Sequence, residues 1–277
     1  MIYTRKYSEI KSQFPFRYNA RAFLRDYIIF FLSLRSRVDI TSEWIRFPFY
    51  HHVFDDERKC FDRQLKYMKN FGDFISIDDS VECLRKKGKI GGRYFHISFD
   101  DGFENFHSNA LPILLENRSF PSIFIPTDYI GRSIQKDGED FKKFSQALFL
   151  RRPIKFMTWD ECRNAHDLGV TIGSHTMSHV RLSSLSKTKV KEELLESKKI
   201  IENNLKYHCR HFACPWGVPD SDFRRNIDTE TAKEVGYDSF LTTQRGPNLE
   251  TGDPFFIHRD LMFAEWKNYQ LKYFFSR

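Results

Sequence analysis

Twice in this chain a short apolar run stops at a cluster of ionisable side chains, and that pattern restricts the fold more than any other feature. Tyr94 to Phe99 reads as a buried strand and is closed by the turn Asp100-Asp101-Gly102. Val170 to Ile172 reads as another and leads into His175-Thr176-Met177-Ser178-His179. One Asp and two His form a three-ligand set for a divalent ion with a position left for water. The other Asp remains available as a base. In one helical turn the four-residue spacing puts both imidazoles on one side, where they can share an ion. Zinc suits this donor set, and iron, cobalt, nickel or manganese can occupy it.

The rest of the chain alternates in the same way. Ile45 to Tyr50 reads as a strand ending at His51-His52, and Phe61 to Phe71 has a helical apolar period. Asp78 to Lys86 and Ala110 to Glu116 read as helices, with Ser122 to Pro126 as a buried strand. Thr158 and Glu161 have the spacing of a capping box, opening a helix that ends near Gly169. Lys189 to Leu205 is a long helix whose charges form a solvated face. Phe212 starts a strand interrupted by Pro215, and Thr229 to Val235 is a helix stopped by Gly236. Ser239 to Thr242 and Phe255 to His258 read as the last strands. Strand and helix in alternation imply parallel strands joined by crossovers. A strand count near seven predicts an α/β fold of the distorted (β/α)7 barrel type, with chemistry at the C-terminal strand ends. Residues 1–43 form a basic helical extension, and residues 44–277 form the catalytic domain.

Composition removes several classes. Apolar residues make up 40% of the chain and Phe alone counts 29, which excludes a disordered chain. The net charge of +7 fits an anionic partner, but no nucleic-acid-binding signature occurs. The five cysteines form no Cys-x-x-Cys pair, which points to a reducing compartment. No apolar signal core follows the N-terminus, so the expected location is cytoplasmic. Tyr27 to Leu34 is too short to span a bilayer. With Arg21, Arg25, Arg35 and Arg37 around it, it reads as a core helix with basic ends or as a membrane-surface contact through residues 21–37.

The combination of motifs resembles the polysaccharide deacetylase (NodB-homology) family, carbohydrate esterase family 4, over about residues 44 to 263. Ser98-Phe99-Asp100-Asp101-Gly102 is similar to the family's first motif and His175 to His179 to its second. Ser122 to Thr127, Met157-Thr158-Trp159 and Ile172 to His175 match in wording and order. The resemblance implies a metal-dependent hydrolase that removes acetyl groups from an N-acetylated amino sugar. It implies Asp101, His175 and His179 as metal ligands and Asp100 as general base. Ala213-Cys214-Pro215-Trp216-Gly217 looks like the third motif. It implies the backbone N–H of Trp216 as oxyanion donor, with Trp216, Pro215 and Arg259 toward the substrate.

Two points depart from the common pattern. Ala213 stands where other members carry an Arg that holds the catalytic Asp, which leaves Arg259 and Arg163 as replacement cations. Tyr50-His51-His52-Val53 resembles the N-terminal Tyr-His segment of one deacetylase branch and makes His51 the general acid. His258 competes for that role, and His52 points to the other side of its strand. Two other functional readings stay open: a non-sugar amide or imide hydrolase on the same site, and a catalytically silent carbohydrate-binding homologue. Without a signal peptide, the expected substrate is a carrier-linked precursor of a surface polysaccharide.

Overall fold

The computed structural model of the protein describes residues 3–86, 89–132, 138, 144, 153–249 and 252–277. Ten short strands are described: β1 (Trp44–Arg46), β2 (Pro48–Tyr50), β3 (Asp73–Phe74), β4 (Arg93–Phe95), β5 (Ser98–Phe99), β6 (Ser122–Ile125), β7 (Thr171–Ser174), β8 (His211–Ala213), β9 (Ser239–Leu241) and β10 (Asp260–Leu261). A seven-stranded sheet runs β10-β2-β5-β6-β7-β8-β9, and every pairing in it is parallel. The sheet curls, and residues 257–261 bring its edges together. Ile257 bridges Leu241 of β9, while Asp260 and Leu261 pair with Pro48 and Phe49 of β2. The expected (β/α)7-type barrel is therefore present in distorted form, with extra helices at the N-terminus.

The strands that build the centre are buried on both faces, as parallel strands covered by crossover helices must be. Thr158 caps the Trp159–Asp167 helix, and Glu161 completes the capping box. Ser186 caps the Lys187–Leu205 helix. Gly236 ends the Arg225–Val235 helix at φ 90°, the left-handed cap that glycine accepts without strain.

Three expectations need correction. The runs 45–50 and 94–99 are not single strands. Each divides between the main sheet and a second, three-stranded sheet of order β1-β4-β3. The two runs pair side by side through both sheets and bend at Phe47 and at His96-Ile97. His96 packs at that bend, where its imidazole meets Ile75 O and Ser122 Oγ at 3.0 and 2.8 Å. Phe255 to His258 is not the last strand: Pro254–Phe256 is a short 3-10 turn, and pairing resumes at Asp260. The core reading of Tyr27 to Leu34 also fails, because within the Phe16–Arg35 helix only Ile29 and Ser33 are buried.

The N-terminal segment is fastened beside the barrel mouth. Tyr7 N and Ser8 N donate to the Asp56 carboxylate at 2.8 and 3.0 Å, and Tyr7 Oη donates to Glu265 Oε1 at 2.9 Å. Ile10 is buried in a cluster with Phe54, Phe103, Tyr129, Ile154 and Phe156. Nearby, Glu57 Oε2 accepts from Phe54 N at 2.9 Å, and burial pushes its carboxyl up to about 8.

Two stability predictions follow. Arg46, 3% exposed, donates to Asp260 at 2.9 Å and to the carbonyls of Phe275 and Arg277. Arg46→Met strands a buried carboxylate, and chemical denaturation is expected to show a loss of about 3–5 kcal/mol. Glu57 keeps in the folded state a proton that the unfolded chain releases near 4.5. Its contribution to stability is therefore present below pH 4.5 and is lost as pH rises toward about 8. Glu57→Gln is expected to remove that part of the pH dependence. Relative to wild type, the variant's denaturation midpoint should rise between pH 5 and pH 8; a constant difference would refute the assignment.

Candidate active site

The C-terminal ends of β2, β5, β7 and β8 meet at a cavity of about 530 Å³. Its floor carries His51, Asp100, Asp101, His175, His179 and Trp216. Tyr7, Phe54, Glu57, Phe103 and Phe263 form part of its walls.

Asp101, His175 and His179 are buried, and each offers a ligand atom within 4.8 Å of the others. Asp101 Oδ1 lies 3.1 Å from His179 Nε2 and 3.5 Å from His175 Nε2, yet it has no hydrogen-bond partner. His175 Nδ1 meets Ala213 O at 2.7 Å, and a carbonyl can only accept, so the proton is on Nδ1 and the Nε2 lone pair faces the carboxylate. Burial lowers the His175 pKa to about 4 despite the nearby Asp100 carboxylate, which keeps the ring neutral. Converging lone pairs on an imidazole oriented by the Ala213 carbonyl and on a carboxylate fit a divalent cation.

The histidine pair does not lie on a helical turn. Thr176 and His179 adopt φ 64° and 52°, and the ring centroids still come within 5.0 Å. The loop is held from the Lys187–Leu205 helix, where Glu193 accepts from Met177 N, Ser178 N and Ser178 Oγ at 2.8–3.0 Å. Ser197 Oγ donates to Thr176 O on the same loop. That helix face was expected to be solvated. Glu193 is the site residue that sequence reading missed, since nothing in a run of alternating Lys and Glu distinguishes the one that turns inward.

Asp100 is 2% exposed and receives both ends of a guanidinium. Arg259 Nη1 and Nη2 donate to its two oxygens, each at 2.8 Å. Burial pushes the Asp100 carboxyl up, but the Arg259 guanidinium outweighs it, so its pKa lies below the ordinary range. Burial likewise opposes ionisation of Asp101, and the neighbouring His179 and then His51 reverse it. Of the two cations expected to stand in at Ala213, Arg259 is the one that pairs with Asp100. It is fully buried, so the expectation that it touches substrate fails. Arg163 pairs with Asp160 on the surface and takes no part.

The remaining sequence candidates separate clearly. His51 Nε2 lies 4.0 Å from Asp101 Oδ2 at the cavity floor. His258 does not line the cavity: its ring packs on Phe256, and its backbone bonds Asn248. His52 does line it, contrary to the view that it points away. Its ring stacks on Phe103 with centroids 4.2 Å apart, Nδ1 accepts from Asn105 at 3.3 Å, and burial brings its pKa down to about 3. Trp216 is at φ 56°, and Gly217 N reaches back to Pro215 O across it. Its indole covers His179 at 4.6 Å and carries the Arg181 guanidinium at 4.7 Å. Pro215 supplies the turn and does not line the cavity. Cys214 is buried, and burial pushes its thiol pKa well above the ordinary value, which agrees with a structural role. Gly102 sits at φ 69°, and an added Cβ would meet Ile130 Cδ1 at 2.9 Å, so the turn after Asp101 requires glycine.

Comparison with known proteins agrees with this geometry. The sequence profile of the family described as polysaccharide deacetylase matches residues 87–239, more than half of the chain. YxkH of Bacillus subtilis is 22% identical over 243 residues, covering 82% of this chain and 77% of that protein. A poly-beta-1,6-N-acetyl-D-glucosamine N-deacetylase of Staphylococcus aureus is 27% identical over 166 residues; the match covers 58% of this chain and 53% of the staphylococcal protein. The solved structure of IcaB from Ammonifex degensii superposes with a TM-score of 0.69 at 18% identity, covering 85% of this chain and 98% of that one. This chain belongs to the polysaccharide deacetylase family.

Proposed function

We propose that this protein is a divalent-metal-dependent hydrolase that removes the acetyl group from an N-acetylated amino sugar and releases acetate. The observation that carries the reading is the pairing of two carboxylates with different partners. Asp101 faces two imidazoles, and Asp100 beside it is fixed by Arg259. Asp101, His175 and His179 would hold a cation that, when bound, would supply Lewis-acid polarisation of the amide carbonyl and a lowered pKa for water.

The other roles rest on this chain's own groups. Asp100, ionised and oriented by Arg259, accepts the proton of the attacking water. The acetyl carbon gains the water oxygen and loses the sugar nitrogen, and His51 delivers a proton to that nitrogen. The Trp216 backbone N–H supports the oxyanion. The exposed rings of Trp216 and Phe263 suit the apolar faces of a pyranose. The staphylococcal relatives' name favours an N-acetylglucosamine oligomer or polymer over a small amide. The intact Asp100–Arg259 pair favours a working site over a silent one.

Elemental mass spectrometry on the wild type, reconstituted with zinc, should find a metal that His175→Ala loses together with activity on acetylated glucosamine oligomers. Asp100→Asn should retain the metal and lower kcat by ~10²–10⁴, the usual loss for a general base. Unchanged turnover in Asp100→Asn would sink the role given to it. His51→Gln should lower kcat by roughly 10² without loss of metal, and His258→Gln should leave it near wild type. The reverse order would transfer the acid to His258.

A further inference from the structure

The Phe16–Arg35 helix turns its most apolar surface away from the barrel. Its inner side, with Ile29 and Ser33, packs against the Asn268–Phe275 helix, where Tyr269 Oη donates to Asp26 and stacks edge-on with Phe30. The outer side leaves Phe16 85%, Phe23 75%, Tyr27 55%, Phe31 48% and Leu34 61% exposed. At 100° per residue these five fall within one arc of about 80° along the helix. Single exposed apolar residues are ordinary, but a continuous aromatic stripe on one helix face marks a docking surface.

The charges beside the stripe identify what covers it. Arg17, Arg21, Arg25 and Arg35 follow on the adjoining arc of the same helix, and Arg37 lies just beyond its end. The helix contains one carboxylate, Asp26, which is turned inward and held by Tyr269. A second copy of this helix would therefore bring no acid to meet the arginine row, whichever way the two helices ran. A surface of lipid phosphates meets both features, since headgroups take the guanidiniums and the acyl boundary takes the Phe and Leu side chains. Among the described residues no helix is long and apolar enough to cross a membrane, so this one would lie in the surface.

We infer that the Phe16–Arg35 helix docks the protein on anionic lipid bilayers, with its aromatic stripe in the headgroup boundary and its arginines on lipid phosphates. The docked helix is joined to the cavity by its neighbour. The Asn268–Phe275 helix packs on it, and the preceding residues Met262, Phe263 and Ala264 line the cavity. The inference does not depend on the deacetylase reading, because vesicle binding is read without substrate.

The test is co-sedimentation of the full chain with vesicles of phosphatidylcholine alone and of phosphatidylcholine mixed with phosphatidylglycerol. Binding is expected to the mixed vesicles, to weaken with added salt, and to be poor on phosphatidylcholine alone. Replacing Arg17, Arg21 and Arg25 together by Gln should weaken it roughly a hundredfold. Phe23→Ser with Phe31→Ser should abolish it. Both variants change exposed side chains, so an unchanged far-UV spectrum and melting temperature will show that the fold is kept. Equal binding to both vesicle types, or none, overturns the proposal. So does a concentration-dependent dimer in sedimentation equilibrium that Phe23→Ser dissociates while vesicles leave it unaffected, since the face would then belong to a second copy.

Discussion

The pairing of Arg259 with Asp100 is the interaction on which the rest of the site depends. A carboxylate almost fully removed from water at a sheet end is sustained only by a charge of opposite sign in good geometry. The guanidinium meets that condition with two parallel bonds of 2.8 Å, and its Nε donates to Thr242 O. Its carbon also lies 4.2 Å from the Phe49 ring centroid. Arg259 belongs to the stretch that brings the two sheet edges together, between the bridge at Ile257 and the pairing at Asp260. Barrel closure and orientation of the Asp100 carboxylate are thus one event, and a chain that failed to close would leave Asp100 unpaired. Ala213 contributes only its carbonyl, which fixes the ring of His175.

Strain at the floor is concentrated in the same place. Asp101, Thr176, His179 and Trp216 all lie in the left-handed region, where a residue other than glycine costs on the order of 1–3 kcal/mol. Each strained turn is held by neighbouring bonds. Glu193 and Ser197 hold the histidine loop, Thr243 Oγ1 donates to Trp216 O, and Met157 N donates to Gly102 O beside Asp101. The ligand atoms of Asp101, His175 and His179 therefore converge within 4.8 Å of one another, with the His175 Nε2 lone pair toward the carboxylate. A cation is the natural counterpart of that arrangement.

Sequence showed the floor well and the walls hardly at all. Asp100, Asp101, His175 and His179 were legible because polar groups that end buried runs have few places to go, and parallel α/β architecture puts strand ends together. Arg259 was legible only as one of two cations, since its partner lies 159 positions earlier in the chain. The helical geometry assigned to the His pair was wrong because the spacing is the same in a strained loop, and periodicity cannot distinguish the two. The runs 45–50 and 94–99 looked like single strands because a bend between two sheets leaves the apolar pattern intact. His52 was misplaced because strand alternation was applied two residues beyond the strand, where β2 has already ended at Tyr50.

Floor and walls also differ in what maintains them. The floor is assembled from strand ends that are locked by the barrel core. Tyr7 and Glu57, by contrast, belong to segments that meet through a few bonds and an aromatic cluster, and Tyr7 is linked to the far wall by its bond to Glu265. A substitution among these wall residues can alter the shape offered to a ligand without disturbing Asp100, Asp101 or the imidazoles. On the proposed reading, the chemistry is fixed by the sheet, and the choice of sugar rests with segments far from the motifs in sequence. Motifs alone therefore identify the reaction more readily than the substrate, because the residues that touch the substrate's periphery are under no common geometric constraint.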